Sequence, residues 1–287
     1  MRRTVILLSV LLFPSVCASF DIRDIGRHMD TIKSTADATQ KAARPISDEE
    51  EYYVGRAVAA QIISSYPLLD DKGLTAYINK VGQAVALHSE KPYTYGGYHF
   101  ALLDSDEVNA FACPGGTIFI TRGMLKTAGN EDELAAVLAH EIAHVNHKDG
   151  IAAIKKSRWT EAATIIGSSA VKEYGAQDLS KLVSIFEGSI DDIVKTLVVN
   201  GYGRDQEYGA DKAALTYLEK TAYDPAALKD FLDRLTVQGK SSKGGILKTH
   251  PGTSDRVEKV KASLPEKAAD SRFVQKRTSR FSRLLAK

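Results

Sequence analysis

Two histidines and a glutamate in the run His140-Glu141-Ile142-Ala143-His144 set the first chemical constraint. On a helix, residues four apart lie on one face, one turn from each other, so the two imidazoles can converge on a single zinc ion. Glu141, beside the first histidine, can reach a water held on that ion. Zinc lowers the pKa of such a water towards neutrality, and a neighbouring carboxylate can take its proton as the water attacks a carbonyl, that of a peptide included. The surrounding pattern predicts the helix that this chemistry needs. Asn130 and Glu133 read as its start, it runs to about Lys148, and Gly150 closes it. Leu134, Leu138, Ile142 and Val145 form the apolar stripe that seats it, with the histidines off that stripe.

A catalytic zinc takes a third protein ligand and keeps one position open. His147 shares the helix face but lies almost two turns from His140, too far for one ion, and reads as a helix-end cation beside the negative pole of the dipole. Glu207, in Arg204-Asp205-Gln206-Glu207-Tyr208-Gly209-Ala210-Asp211, is the better candidate. Glu207 and Asp211 are four apart on a predicted helix start. The glutamate can ligate the metal while the aspartate accepts the remaining N–H of a ligating histidine and fixes its ring. Arg204 can grip a carboxylate in a two-pronged hydrogen bond. The expected constellation is one Zn2+ per chain on His140, His144 and Glu207, with Glu141 as base. His250, before Pro251, has three open roles: it stabilises an oxyanion, occupies the fourth metal position in a latent form, or orders its loop.

The elements that must position these groups follow from the pattern. Ser47 and Glu50 form a capping box for a helix to about Ser65, and a second helix runs from about Lys72 to His88. Tyr98 to Leu103, Val108 to Cys113 and Thr117 to Thr121 read as strands, the last two joined by Pro114-Gly115-Gly116. Cys113 is expected as a small buried residue. Beyond the metal helix the pattern is helical, at about 151–170, 178–198, 203–219, 225–237 and 252–263. The apolar residues between 151 and 200 are expected in the core or covering a cleft, with a lid that admits unfolded chains as the sharper reading. The fold class is α+β, mostly helical with a small β-sheet.

Arg2 and Arg3 followed by the apolar run Val5 to Phe13 read as a secretory signal, cleaved after Ala18, which implies a periplasmic location; lipidation of Cys17 is the alternative. The expected organisation is a signal peptide at 1–18, an arm at 19–46, a catalytic domain at 47–265 and a basic tail at 266–287. That tail reads as solvated, with contact to an anionic membrane surface as the other reading. With 38 Lys+Arg against 36 Asp+Glu, the charge balance gives no case for nucleic acid.

Four blocks together carry a resemblance: Asn109-Ala110-Phe111-Ala112 with Pro114-Gly115-Gly116, the helix from Leu134 to His147, Arg204 to Asp211, and Thr249-His250-Pro251 with Arg256. The chain resembles the gluzincin zinc metallopeptidases of the HtpX and CAAX prenyl protease type, and within them the soluble, exported, BepA-like branch. The resemblance implies a zincin-like domain and an endopeptidase of polypeptide substrates, with misfolded or unassembled envelope proteins as their class. It also implies an edge strand above the metal helix, here Asn109, Ala110 and Phe111, that pairs with the substrate backbone. The competing expectation is a chaperone-like binding module with the same fold and little catalysis.

Overall fold

A computed structural model describes residues 45–154, 188–238, 245–266 and 269–286. The expected signal peptide, nearly all of the arm, and the helices expected from 155 to 187 lie outside the described residues. Helix α1 (Asp48–Ser65) starts on the expected capping box: Ser47 Oγ accepts from the Glu50 N–H at 3.2 Å and Glu50 accepts from the Ser47 N–H at 2.9 Å. Helix α2 (Lys72–Ala86) is capped by Asp71. Strands β1 (His99–Leu103), β2 (Ala110–Ala112) and β3 (Thr117–Thr121) form one sheet in the order β1-β3-β2, with β1–β3 parallel and β2–β3 antiparallel.

Both faces of this sheet are buried, and the alternation of side chains divides them. Phe100, Leu102, Ala110, Ala112, Ile118 and Ile120 face the core shared with α2 and the metal helix, whereas Leu103, Phe111 and Phe119 join Val54, Val58 and Ile62 of α1. The two alanines of β2 are small, so the metal helix can lie close against the edge of the sheet. The turn Pro114–Gly116 places Gly115 at φ 76°, a backbone angle that favours glycine. Helix α1 meets that turn so closely that a Cβ on Gly55 would lie 1.7 Å from the Pro114 carbonyl oxygen.

A short helix, α3 (Arg122–Thr127), follows β3 and was not anticipated; Thr121 ends the strand and caps the helix by accepting from the Met124 N–H. Helix α4 (Glu131–Asn146) carries the two histidines and starts at Asn130 as expected. Its end differs from expectation. The helix stops at His147, where Lys148 turns the chain at φ 58°, and Gly150 lies inside the next short helix, α5 (Asp149–Ala152). Nor is α4 a one-sided helix: every residue from Glu131 to Val145 is buried, the histidines included. Long-range packing around α4, which no local periodicity encodes, closes its polar face.

After residues 188–195, in helix, the chain passes through a π turn (Thr196–Asn200) into α6 (Arg204–Lys220), α7 (Ala226–Gln238), α8 (Ile246–Thr249) and α9 (Thr253–Ala262). The basic end of the chain is not a free tail: Ser271–Leu285 forms α10, docked on the start of α4. Phe281 is buried against Tyr77 of α2 with ring centroids 6.4 Å apart, and Arg277 and Arg280 reach Asp132 and Glu131. Val274, Arg277, Phe281 and Leu284 repeat at three- and four-residue spacing, which gives α10 its docking face. Among the described residues no helix is long and apolar enough to cross a membrane.

Candidate metal centre

Helix α4 presents His140 and His144 one turn apart, and their Nε2 atoms lie 3.1 Å from each other. Helix α6 brings Glu207 against both: its carboxylate oxygens are 3.5 Å from His140 Nε2 and 3.5 Å from His144 Nε2. The loop after α8 adds His250, whose Nδ1 is 3.0 Å from Glu207 and 3.3 Å from His140 Nε2. One ligand atom from each of these four buried residues lies within 4.8 Å of the others.

The outer nitrogens of the two α4 histidines are both engaged. His140 Nδ1 is 3.0 Å from Asp211 Oδ1, and His144 Nδ1 is 2.7 Å from Asp149 Oδ2. Each Nδ1–H donates to a carboxylate, so each Nε2 presents a lone pair inward. Two lone pairs and a carboxylate that converge at these distances repel one another unless a cation lies between them. A tetrahedral ion with Zn–N bonds of about 2.0–2.1 Å holds two nitrogens about 3.3 Å apart, close to the observed separation. The donor set of two imidazoles, a carboxylate and a further imidazole therefore fits a zinc-like metal.

Arg256, on α9, ties the carboxylates together. It donates to Asp211 through Nε at 2.8 Å and Nη2 at 2.7 Å, and its Nη1 lies 2.6 Å from Glu207. Burial pushes the Asp211 carboxyl up, but the Arg256 charge and hydrogen bonds outweigh it and bring the pKa down to about 2. Burial likewise disfavours the Glu207 anion, yet His250, His140 and His144 hold it well below the usual range. On the other flank, Gln206 Nε2 donates to Asp149 at 2.9 Å. The Tyr202 ring stacks on His144 with centroids 4.1 Å apart.

Residues 73–264 match Peptidase family M48. The chain belongs to peptidase family M48. It is 27% identical over 230 residues to the beta-barrel assembly-enhancing protease of Escherichia coli (strain K12), covering 79% of this chain and 46% of that protein. It is 30% identical over 160 residues to the mitochondrial metalloendopeptidase OMA1 of Schizosaccharomyces pombe, covering 55% of this chain and 44% of the relative. It is 25% identical over 220 residues to the protease HtpX homolog of Campylobacter curvus, covering 66% of this chain and 74% of that one. The chain thus spans less than half the length of the assembly-enhancing relatives it matches.

Within this M48 chain the structure brings most of the anticipated residues together and separates one. His140, Glu141, His144, Glu207, Asp211 and His250 share one buried cluster. Glu141 lies 3.7 Å from His250 Nε2, and both its carboxylate oxygens are buried without a hydrogen-bond partner among the described residues. Arg204 is elsewhere: its side chain is 70% exposed and faces Asp255 at 3.7 Å. The two-pronged grip expected of it comes from Arg256, because Arg204 opens α6 three residues before Glu207 and points to solvent, while α9 lies across the buried face. His147 is at the end of α4, 3.7 Å from Glu90 and away from the cluster.

Asn109, Ala110 and Phe111 are buried, and β2 is one of the two edge strands of the sheet. Asn109 joins this edge to the His250 loop, since its Oδ1 accepts from Thr249 Oγ1 at 3.3 Å. Cys113 is a buried free thiol, pushed up by burial and by the Glu141 charge. Sequence reasoning missed Asp149, Gln206 and Tyr202. Asp149 follows His144 by five residues, off the helical spacing, and reaches it because the chain turns at Lys148.

Proposed function

We propose that this M48 chain is a zinc-dependent endopeptidase in which His140, His144 and Glu207 hold the metal and Glu141 is the general base. The observation that carries the reading is the convergence of both Nε2 atoms and the Glu207 carboxylate, each Nδ1 being occupied by a carboxylate of its own. Bound there, zinc supplies an acidified water and polarises the substrate carbonyl. The chain's own part is orientation and proton transfer. Asp211 and Asp149 hold the imidazoles, and Arg256 holds Glu207 and Asp211 in place. Glu141, buried and without a hydrogen-bond partner among the described residues, has both carboxylate oxygens free to accept the proton that the nucleophile gives up.

His250 is the residue that would add a further ligand to the metal at rest. In support, its Nδ1 lies as close to Glu207 and His140 as a further ligand would. The loop that carries it is pinned rather than loose: the Ile246 N–H donates to the Val108 carbonyl at 2.9 Å and the Tyr202 N–H to that of Thr249 at 3.0 Å. Since the Asn109 side chain also touches this loop, an extended peptide pairing with β2 would press on the residues that hold His250. Substrate entry and release of His250 are thereby linked.

The substrate class we infer is unfolded polypeptide of the cell envelope, met after export with residues 1–18 removed. A signal-like leader and the name of the Escherichia coli relative support that assignment. The test is to incubate the purified chain with an unfolded protein, with and without a chelator, and to identify the cuts by mass spectrometry while measuring bound metal. Chelator-sensitive internal cuts with about one zinc per chain are expected. A chain that binds zinc and unfolded protein without cutting would instead be the binding module.

A further inference from the structure

The turn Pro114–Gly116 closes the end of β2, and close packing from α1 and α5 holds it. Gly55 of α1 lies against the Pro114 carbonyl, a Cβ on Gly150 of α5 would come within 3.3 Å of the Pro114 ring, and a Cβ on Gly115 would lie 2.7 Å from the Tyr52 Cα. A charged side chain enters this packing. Glu51, 2% exposed, accepts from the Gly115 N–H through Oε1 at 3.3 Å, and its Oε2 lies 2.8 Å from Lys148 Nζ. Lys148 is the left-handed residue that follows the end of α4. A single carboxylate from α1 thus joins the end of the edge strand to the end of the metal helix. Asp48 also reaches Lys148, at 3.3 Å, but its side chain is half exposed and has Lys91 at 2.7 Å, so Glu51 is the buried partner. Neither Glu51 nor Lys148 belongs to the metal cluster.

We propose that Glu51, paired with Lys148, is a positioning residue that sets where the β2 edge lies relative to the metal helix, and so how firmly a substrate strand is held. The inference rests on the endopeptidase reading above. The Cys113 N–H donates to the Thr117 carbonyl at 2.9 Å and the Thr121 N–H to that of Asn109 at 3.1 Å. Alternation along this antiparallel pair then turns the N–H and C=O of Ala112 away from β3, towards the edge at which a substrate strand would pair. Ala112 stands two residues before Pro114, so the seat of the turn fixes where those two groups lie. A buried carboxylate can hold that seat only while its charge is matched. Lys148 supplies the match from the end of α4, so the turn and the metal helix are tied to each other through Glu51.

Steady-state kinetics on the full zinc-loaded chain test this, with a long unstructured peptide that spans the β2 edge and a short blocked peptide that does not. Glu51→Gln keeps an acceptor for Gly115 and removes the charge that Lys148 matches; Lys148→Met removes the partner. Each should raise KM for the long peptide about fivefold, the equivalent of one main-chain hydrogen bond, with kcat within about twofold of the parent. Bound zinc and KM for the short peptide should not change, and Lys148→Arg, which restores the cation, should recover KM. A second measurement needs no turnover: binding of the long peptide to the Glu141→Gln chain, followed by fluorescence anisotropy, should weaken by the same factor when Glu51→Gln is added. An unchanged KM in Glu51→Gln, the milder variant, would overturn the role. Loss of zinc, or a fall of kcat on both peptides in step with the loss of folded protein, would overturn it too. A chain that cuts nothing yet binds the long peptide more weakly by that factor in Glu51→Gln retains the positioning role and refutes the endopeptidase reading.

Discussion

Replacing Arg277 by Met tests whether the basic end of the chain is part of the machinery that holds the metal helix. Helix α4 begins with three consecutive buried acids, Glu131, Asp132 and Glu133. Each has an arginine from outside: Arg280 for Glu131, Arg277 for Asp132 and Arg234 for Glu133. Arg277 is 12% exposed and donates to Asp132 at 2.9 and 2.7 Å, where the carboxylate also accepts from the Asp224 N–H at 2.8 Å. Removal of one partner from a buried pair leaves a buried charge and costs about 3–5 kcal/mol. For a domain of this size that corresponds to a melting-temperature drop of roughly 6–20 °C. Arg280 is 56% exposed, and Glu131 retains the Tyr77 and Tyr223 hydroxyls at 2.5 and 3.0 Å, so Arg280→Met should cost only about 1 kcal/mol. Urea unfolding of the chelated protein gives both values. The order is the critical result: if Arg277→Met costs less than Arg280→Met, or both cost under about 0.5 kcal/mol, α10 is a passenger and the argument from burial fails.

Glu141→Gln should keep a full equivalent of zinc and lose at least about a hundredfold in cleavage rate, because only the proton acceptor is removed; metal analysis beside a peptide assay checks it. His250→Ala should raise cleavage of a short flexible peptide if the side chain rests on the metal, whereas a loss of about a hundredfold on both a short peptide and an unfolded protein would make it an oxyanion donor instead. Burial and the Arg256 charge press the His140 imidazole towards neutrality, but its bonds with Asp211 and Glu207 outweigh them and hold the pKa at about 9. A proton therefore competes with the metal below pH 9, and apparent zinc affinity, measured by chelator competition, should fall about tenfold per unit between pH 8 and 6. Tyr202→Phe should leave stability unchanged or slightly raised by thermal melt, since its buried hydroxyl has no hydrogen-bond partner to lose among the described residues.

The metal helix and its ligands were legible because their spacing is local. Two histidines four apart declare a shared face, and Glu207 with Asp211 declares another. The strands and the caps at Ser47 and Asn130 were legible for the same reason. What the sequence hid depends on packing between distant elements. Arg204 and Arg256 are equivalent by type, and only the crossing of α9 over α6 decides which one reaches Asp211. Asp149 escaped notice because a left-handed Lys148, not helical periodicity, swings it under His144. The C-terminal helix looked like a solvated basic stretch, for its arginines find their acids on α4 far back in the chain.

The two ends of α4 solve the same electrostatic problem differently, and the difference separates structure from chemistry. Buried carboxylates each cost several kcal/mol unless compensated. At the start of the helix three acids meet three arginines, and the positive pole of the dipole assists. Around its histidines four acids are buried, Glu141, Asp149, Glu207 and Asp211, and among the described residues Arg256 is the one arginine or lysine that pairs with any of them. Protonated imidazole can supply part of the balance, as the raised pKa values of His140 and His144 indicate. A divalent cation supplies it without protonating the nitrogens that would bind it. The start of α4 is therefore complete as folded, whereas the region around its histidines balances when it takes up charge from outside, as a metal centre does.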